Sequence, residues 1–190
     1  MKRVLVIVDM QNDFITGALG TAEAEAIVPI MQNRLKEYED GDTVVLFTKD
    51  THYVNYFETQ EGIRLPVPHC IKGTPGWSID KRISSIVDNG NFIKYASGTV
   101  INSRVNKETF GSIFLAALLE MWSEDEELEE IVLMGVCTDI CVISNALLIK
   151  SHCPEVLVTV DASCCAGVTP ERHKAALETM KSCQINVINE

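Results

Sequence analysis

The sequence predicts an α/β protein, a three-layer α/β/α sandwich built around a six-stranded, mainly parallel sheet. Short apolar runs rich in Val and Ile alternate along the chain with longer segments of helical periodicity. Most of these runs are apolar without a break, which is typical of strands that are buried on both faces. Repeated strand–helix units of this kind favour a parallel sheet covered by helices on both sides.

The apolar runs and the helical patterns place the individual elements in order. The predicted strands are Val4–Val8, Thr43–Thr48, Thr99–Asn106, Ile131–Val136, Val156–Val160 and Ile185–Ile188. The predicted helices are Ala22–Tyr38, Trp77–Val87, Thr109–Trp122, Thr138–Lys150 and Pro170–Lys181. The segment from Lys49 to Gly76 contains three prolines and is interpreted as a long functional loop. The acidic run Ser123–Glu130 is interpreted as a solvated surface turn.

Length and charge limit the class of protein. The 190 residues fit one domain, 1–190, that is large enough to bury a core without disulfides. Because Asp and Glu number 27 against 16 Lys and Arg, the net charge of −11 argues against a nucleic-acid binder and against docking on anionic membranes. No apolar run reaches the roughly 18–20 residues of a membrane span. Seven cysteines without a signal-peptide pattern predict free thiols and a cytoplasmic location.

Candidate functional residues follow the predicted strands, where parallel α/β sheets bind their ligands. Asp9 follows the first strand and is either a turn cap or a functional acid. Phosphate-receiver domains also carry an acid at this position, so the position alone does not specify the function. Cys137 and Cys141 follow the fourth strand and open a helix. Helix N-terminal N–H groups lower a thiol pKa and can hold an oxyanion, so one of these cysteines is a candidate nucleophile. The alternative is that both are buried structural cysteines.

A second group of residues suits a metal ion. Asp50 and His52 lie two apart in an extended stretch and therefore face the same side, and His69 follows two stiffening prolines. Two histidines with carboxylates form a typical site for Zn²⁺, Fe²⁺ or Mn²⁺, with Glu58 or Glu61 as a further ligand. The alternative is a surface loop with solvated histidines.

Four motifs together resemble one known family. They are Asp9–Phe14 (DMQNDF), Asp50-Thr51-His52, Pro68-His69-Cys70 and Gly135–Val142 (GVCTDICV). In this order they resemble the isochorismatase-like cysteine hydrolase superfamily, and most nearly its nicotinamidase-type amidases. The last motif is long and specific, and the resemblance covers essentially the whole chain.

The resemblance implies roles for the residues of the first group. It makes Cys141 the nucleophile and Asp9 the general base and acid, and it implies an oxyanion hole formed by the N–H groups of Cys137 and Cys141, with a cis peptide bond before Cys137. The catalytic lysine is Lys107 by its spacing to Phe-Gly-Ser, with Lys94 as the competing position.

The resemblance also implies a ligand set and a substrate wall. Asp50, His52, His69 and Glu61 would hold one divalent metal ion, Zn²⁺ in the first place and Fe²⁺ or Mn²⁺ as alternatives. Phe14 would form one face of the substrate pocket. Nicotinamidases often carry a Trp shortly before the Pro-His pair, where this chain has Leu65-Pro66-Val67. The opposing wall must then come from elsewhere, and Trp77 is the candidate.

The expected function is that of a metal-containing cysteine amidohydrolase. It would release ammonia from a small primary amide through a thioester, and the family implies a homo-oligomer, a dimer or a tetramer. The alternatives are a hydrolase of carbamoyl or ureido compounds and a non-catalytic metal- or small-molecule-binding protein on the same fold. True isochorismatases lack the nucleophilic cysteine, so Cys141 argues against vinyl-ether hydrolysis.

Overall fold

A computed structural model describes residues 3–90, 104–125 and 128–190. Its strands are β1 (Arg3–Val8), β2 (Thr43–Asp50), β3 (Arg104–Lys107), β4 (Glu130–Val136), β5 (Leu157–Ala166) and β6 (Asn186–Ile188). They form one sheet in the order β3-β2-β1-β4-β5-β6, and every neighbouring pair is parallel. The predicted six-stranded parallel sheet is confirmed.

Helices flank this sheet and complete the predicted three-layer architecture. They are α1 (Asn12–Ile15), α2 (Ala22–Glu37), α3 (Gln60–Arg64), α4 (Lys81–Asn89), α5 (Ile113–Asp125), α6 (Ile143–His152) and α7 (Pro170–Ser182). Helix α2 packs against α4 and β5, whereas α5 packs against α6 and α6 against α7. Within the described ranges, no helix is long and apolar enough to cross a membrane.

The order of the strands creates a switch point between β1 and β4. The chain runs outward from β1 through β2 to β3, and then returns to build β4, β5 and β6 on the other side of β1. In open α/β sheets, ligands bind at the carboxyl ends of the strands beside such a switch point. Asp9 follows β1 and Cys137 follows β4, so both lie at this place.

A glycine allows β4 to approach β1 closely at the switch point. Gly135 has a φ of 134°, in the region that favours glycine. A Cβ atom at this position would lie 2.1 Å from the carbonyl oxygen of Val8. The close contact between β4 and β1 at this position therefore requires glycine.

Two helices begin later than the sequence pattern predicts. Helix α4 begins at Lys81 and not at Trp77, because Ile79 pairs with Gln11 in an antiparallel bridge and the Asp80 carboxylate accepts the N–H of Arg82 as an N-cap. Helix α5 begins at Ile113 and not at Thr109. There the hydroxyl of Ser112 accepts the N–H of Leu115, so Ser112 acts as the N-cap.

Other element boundaries also differ from the prediction. The acidic run is not one surface turn, because its first three residues belong to α5 and Glu130 begins β4. The long loop contains a 3₁₀ turn (Tyr56–Glu58) and α3, and the predicted helix at 138 starts as a π-helical turn, Thr138–Val142. Lys94 and the first part of the predicted third strand, 99–103, lie outside the described residues.

Candidate active site

Asp9 lies at the end of β1 in a strained backbone conformation. Its φ is 50°, an uncommon value for a residue with a side chain, and the residue is fully buried. The Asp9 N–H donates to Oγ1 of Thr48 at 3.2 Å, and the Thr48 hydroxyl donates to Asp9 Oδ1 at 2.7 Å. Burial raises the pKa of Asp9, although the ammonium of Lys107 opposes this shift.

Lys107, the last residue of β3, joins three functional groups at one buried ammonium. Its Nζ atom lies 2.7 Å from Asp9 Oδ2, 3.3 Å from Asp50 Oδ1 and 3.5 Å from Cys141 Sγ. Burial alone would lower its pKa, but the carboxylate charges of Asp9 and Asp50 outweigh burial and raise it. Lys107 is therefore a permanent cation at neutral pH.

Cys141 lies in the π-helical turn after β4, with only 6% of the residue exposed. The Lys107 ammonium that contacts its sulfur also contacts Asp9 Oδ2, so it links the thiol to the carboxylate. Burial raises the pKa of Cys141 well above its usual range and Asp9 raises it further, whereas Lys107 lowers it. The expectation of a lowered thiol pKa is therefore wrong, because desolvation outweighs the favourable helix start. The resting thiol is protonated, and Asp9 is the nearby carboxylate that can accept its proton.

Cys137 lies at the N-cap of the same turn and is half-buried. The peptide bond between Val136 and Cys137 is cis, as the resemblance implies. Burial and the nearby Asp139 carboxylate raise the pKa of Cys137 to about 12. The Cys137 carbonyl accepts N–H groups from within the turn, at 3.0 Å each from Ile140 and Val142.

Buried polar side chains hold the nucleophile turn in place. The Asn145 amide donates to the Cys141 carbonyl at 2.8 Å and accepts the Ser112 N–H at 3.0 Å, which ties the turn to the start of α5. The Thr138 hydroxyl lies 2.8 Å from Nδ1 of His173 on α7. The position of the Cys141 backbone is therefore fixed from two neighbouring helices.

Beside this cluster, four side chains form a candidate metal centre. The donor atoms of Asp50, His52, Glu61 and His69 all lie within 4.8 Å of one another. Asp50 Oδ2 is 3.0 Å from His52 Nε2, and Glu61 Oε1 is 3.6 Å from the same nitrogen. His69 Nδ1 lies 2.8 Å from the Val67 carbonyl, which fixes Nδ1 as the donor and leaves Nε2 to face the centre. This mixture of nitrogen and oxygen donors, with an oriented imidazole, fits a divalent transition metal.

The sequence leaves Glu58 and Glu61 as alternative metal ligands, and the structure distinguishes between them. Glu61 is one of the four clustered residues, and Glu58 is not. The pKa of Asp50 is lowered: burial opposes the shift, but hydrogen bonds with His52 and His69 and the charge of Lys107 outweigh it. Asp50 is thus a stable anion that faces both the histidines and the lysine.

Gln11 holds Asp50 through the backbone, a role that the sequence reasoning did not assign. Its side chain accepts the Asp50 N–H at 2.7 Å and donates to the carbonyls of Asp50 and Trp77, at 2.9 Å each. The signal was present, because Gln11 belongs to the DMQNDF motif. Thr48 was also missed, although its position two residues before Asp50 places both side chains on one face of β2.

The two candidate aromatic walls have different surroundings. Phe14 is almost buried, and its ring centroid lies 5.5 Å from that of His69, so it adjoins the candidate metal centre. The Trp77 ring faces the ammonium of Lys49 at 2.9 Å, and its indole N–H donates to the Thr51 hydroxyl. Burial and then the charge of Arg104 lower the pKa of Lys49 to about 8.

Fold and geometry together define the class of protein. A parallel α/β sheet carries a buried thiol, carboxylate and ammonium at its switch point, next to four candidate metal ligands. The chain belongs to the isochorismatase family, because the Isochorismatase domain model matches residues 3–190. The predicted resemblance is confirmed.

Three relatives are similar to this chain over nearly its full length. The nicotinamidase/pyrazinamidase of Mycobacterium tuberculosis is 28% identical over 190 residues, which covers 98% of each chain. The crystal structure of a pyrazinamidase of Pyrococcus horikoshii in complex with zinc is 26% identical, with a TM-score of 0.73 and full coverage of both chains. The N-carbamoylsarcosine amidase of Thermoplasma acidophilum shares the fold, at 22% identity and a TM-score of 0.70 over 98% of this chain and 95% of the other.

Proposed function

We propose that this isochorismatase-family hydrolase is a metal-containing cysteine amidohydrolase that releases ammonia from a small primary amide, as a nicotinamidase or pyrazinamidase does. The observation that carries the proposal is the Lys107 ammonium, which contacts both the Asp9 carboxylate and the Cys141 sulfur inside the protein. The full-length similarity to a nicotinamidase/pyrazinamidase supports the choice of substrate class. We also propose that the protein is cytoplasmic and forms a homo-oligomer, a dimer or a tetramer.

The first half of the proposed reaction forms a thioester. Asp9 accepts the proton of the Cys141 thiol, and Lys107 stabilises the resulting thiolate. The sulfur attacks the amide carbon, and the N–H groups of Cys137 and Cys141 stabilise the oxyanion. The C–N bond then breaks, and Asp9 passes its proton to the departing nitrogen, which leaves as ammonia.

The second half returns the enzyme to its starting state. Water attacks the thioester carbon while Asp9 takes one of its protons. The C–S bond breaks, the carboxylic acid leaves, and the thiolate of Cys141 recovers the proton from Asp9. A divalent ion would be held by the cluster of Asp50, His52, Glu61 and His69. When bound, it would supply a Lewis acid to the reaction.

Release of ammonia tests this proposal directly. The purified protein is incubated with a panel of small primary amides that includes nicotinamide and pyrazinamide, and the acyl-enzyme is sought by mass spectrometry. We expect Cys141→Ala to abolish turnover and Cys137→Ala to leave much of it, because Cys137 contributes only a backbone N–H. Equal loss in both variants, with no thioester trapped in the parent, would overturn the assignment.

A second substrate class is favoured by the surroundings of Phe14. The stretch before His69 is Leu65-Pro66-Val67, so it supplies no aromatic partner to Phe14, and Trp77 is engaged by Lys49. A pocket without two stacked aromatic walls would also accept a carbamoyl or ureido compound. The same panel therefore includes N-carbamoyl amino acids. Bound metal with no turnover and an unreactive Cys141 would instead identify a binding protein.

A further inference from the structure

A reciprocal pair of hydrogen bonds joins Asp9 to Thr48 across two strands. The Asp9 N–H donates to Thr48 Oγ1 at 3.2 Å, and the Thr48 hydroxyl lies 2.7 Å from Asp9 Oδ1. Neither residue is exposed to solvent. A backbone N–H can only donate, so the hydroxyl oxygen accepts there and its single proton remains for the carboxylate. The direction of both hydrogen bonds is therefore fixed.

This pair divides the two oxygens of Asp9 between different partners. Oδ1 is held by the Thr48 hydroxyl, whereas Oδ2 lies 2.7 Å from the Lys107 ammonium. The same ammonium lies 3.5 Å from Cys141 Sγ, so Oδ2 is the oxygen that shares a cation with the thiol. A carboxylate held at one oxygen cannot rotate freely, and its other oxygen keeps a fixed direction.

We propose that Thr48 is a positioning residue that keeps Asp9 Oδ2 directed at the thiol and restricts the transferred proton to that oxygen. A proton on Oδ1 would meet the hydroxyl proton of Thr48, which has no second acceptor in this pair. A proton on Oδ2 leaves both hydrogen bonds of Thr48 intact. The thiol proton therefore moves from Sγ to Oδ2, and the same oxygen later delivers it to the departing nitrogen. This inference rests on the proposed amidohydrolase function, in which Asp9 is both base and acid.

Substitutions at Thr48 isolate the hydroxyl. Thr48→Ser and Thr48→Ala differ by that group alone, so we expect the alanine variant to lose about 10- to 100-fold in kcat, the cost of a misplaced catalytic group, with little change in KM. The serine variant should recover most of the loss. Thr43→Val is the matched control, because Thr43 is a buried residue of β2 whose hydroxyl also donates to a carboxylate, that of Asp40, at the opposite end of the strand. It should leave kcat unchanged.

Hydrogen exchange at the Asp9 amide gives a readout that does not need turnover. Thr48→Ala should speed exchange at Asp9 but not at Ile7 in the same strand, and Thr48→Ser should restore the protection. If the parent hydrolyses no amide but these exchange rates change as stated, the proposed function fails while the positioning of Asp9 by Thr48 stands. An alanine variant with parental kcat, or with unchanged protection of Asp9, overturns the inference.

Discussion

Lys107 Nζ lies 3.3 Å from Asp50 Oδ1, so one carboxylate connects the candidate catalytic cluster to the candidate metal centre. The other oxygen of Asp50 lies 3.0 Å from His52 Nε2 and 3.5 Å from His69 Nε2. A cation in the metal centre and the ammonium of Lys107 would therefore share the charge of Asp50. This arrangement holds the two clusters at a fixed distance from each other.

We expect Asp50→Asn to remove both metal binding and turnover, because it removes the one carboxylate that both clusters share. Glu61→Gln should weaken metal binding, since it replaces a clustered carboxylate. Glu58→Gln is the matched control, because Glu58 lies outside the cluster, and it should retain parental metal content. Elemental analysis and a competition assay with a chelator measure the metal directly. Stronger loss of metal from the Glu58 variant than from the Glu61 variant would contradict the ligand assignment.

Two charge-removing substitutions should move the titration of Cys141 in opposite directions. The Asp9 charge raises the pKa of this thiol and the Lys107 charge lowers it. Asp9→Asn should therefore shift the pH dependence of alkylation to lower pH, and Lys107→Met should shift it to higher pH, each by about 1 unit or more, the usual effect of one nearby charge. Turnover should fall in both variants, by about 100-fold or more where the general base is lost.

The rate of alkylation by iodoacetamide, followed by mass spectrometry of the Cys141 peptide, measures this shift from neutral to alkaline pH. Cys183 is an exposed free thiol and serves as the internal control, because its rate should be the same in all three proteins. Shifts of the same sign in both variants would contradict the opposite effects that Asp9 and Lys107 have on the pKa of this thiol.

Gln11 should contribute to stability through its three hydrogen bonds to backbone groups of Asp50 and Trp77. Gln11→Glu keeps the shape of the side chain but removes its donor, which leaves two carbonyls without their partner. We expect the free energy of unfolding to fall by about 2 kcal/mol, the order of the penalty for unsatisfied buried groups, when it is measured in urea.

Gln32→Glu is the control for this effect, since Gln32 donates to a single carbonyl, that of Arg82, at an exposed position. Its cost should be much smaller. Metal affinity should also fall in the Gln11 variant, because the backbone of Asp50 is then held less firmly. An equal loss of stability in both variants would indicate that the three hydrogen bonds of Gln11 contribute no more than the single hydrogen bond of Gln32.

The arrangement of the strands explains why much of the site could be predicted. Asp9, Asp50 and Lys107 are far apart along the chain, but each follows or ends a strand, and parallel strands place their carboxyl ends at one edge. The sequence pattern of the strands therefore predicts their common location. The start of α5 was predicted less well, because both Thr109 and Ser112 suit an N-cap and only the fold selects Ser112.

The protonation of Cys141 could not be predicted in the same way. The position of the thiol in the first turn after β4 favours a lowered pKa, and this part of the argument depends only on local structure. The depth of burial depends on how α6, α7 and β4 pack around the turn that carries Cys141, and desolvation outweighs the local effect. The contact between Thr48 and Asp9 spans 39 residues and likewise has no local signal.

The close contact between Gly135 of β4 and Val8 of β1 provides a test of the fold itself. Gly135→Ala would place a Cβ atom 2.1 Å from the Val8 carbonyl oxygen at a φ of 134°, so backbone must move in the buried sheet. We expect a loss of about 3 kcal/mol or more in the free energy of unfolding, together with loss of turnover. Gly73→Ala is the matched control, because Gly73 also has a positive φ, 87°, but has open space around its Cβ position. Its cost should be only the conformational strain of about 1–2 kcal/mol, and similar losses in both variants would show that the contact with Val8 does not limit this position.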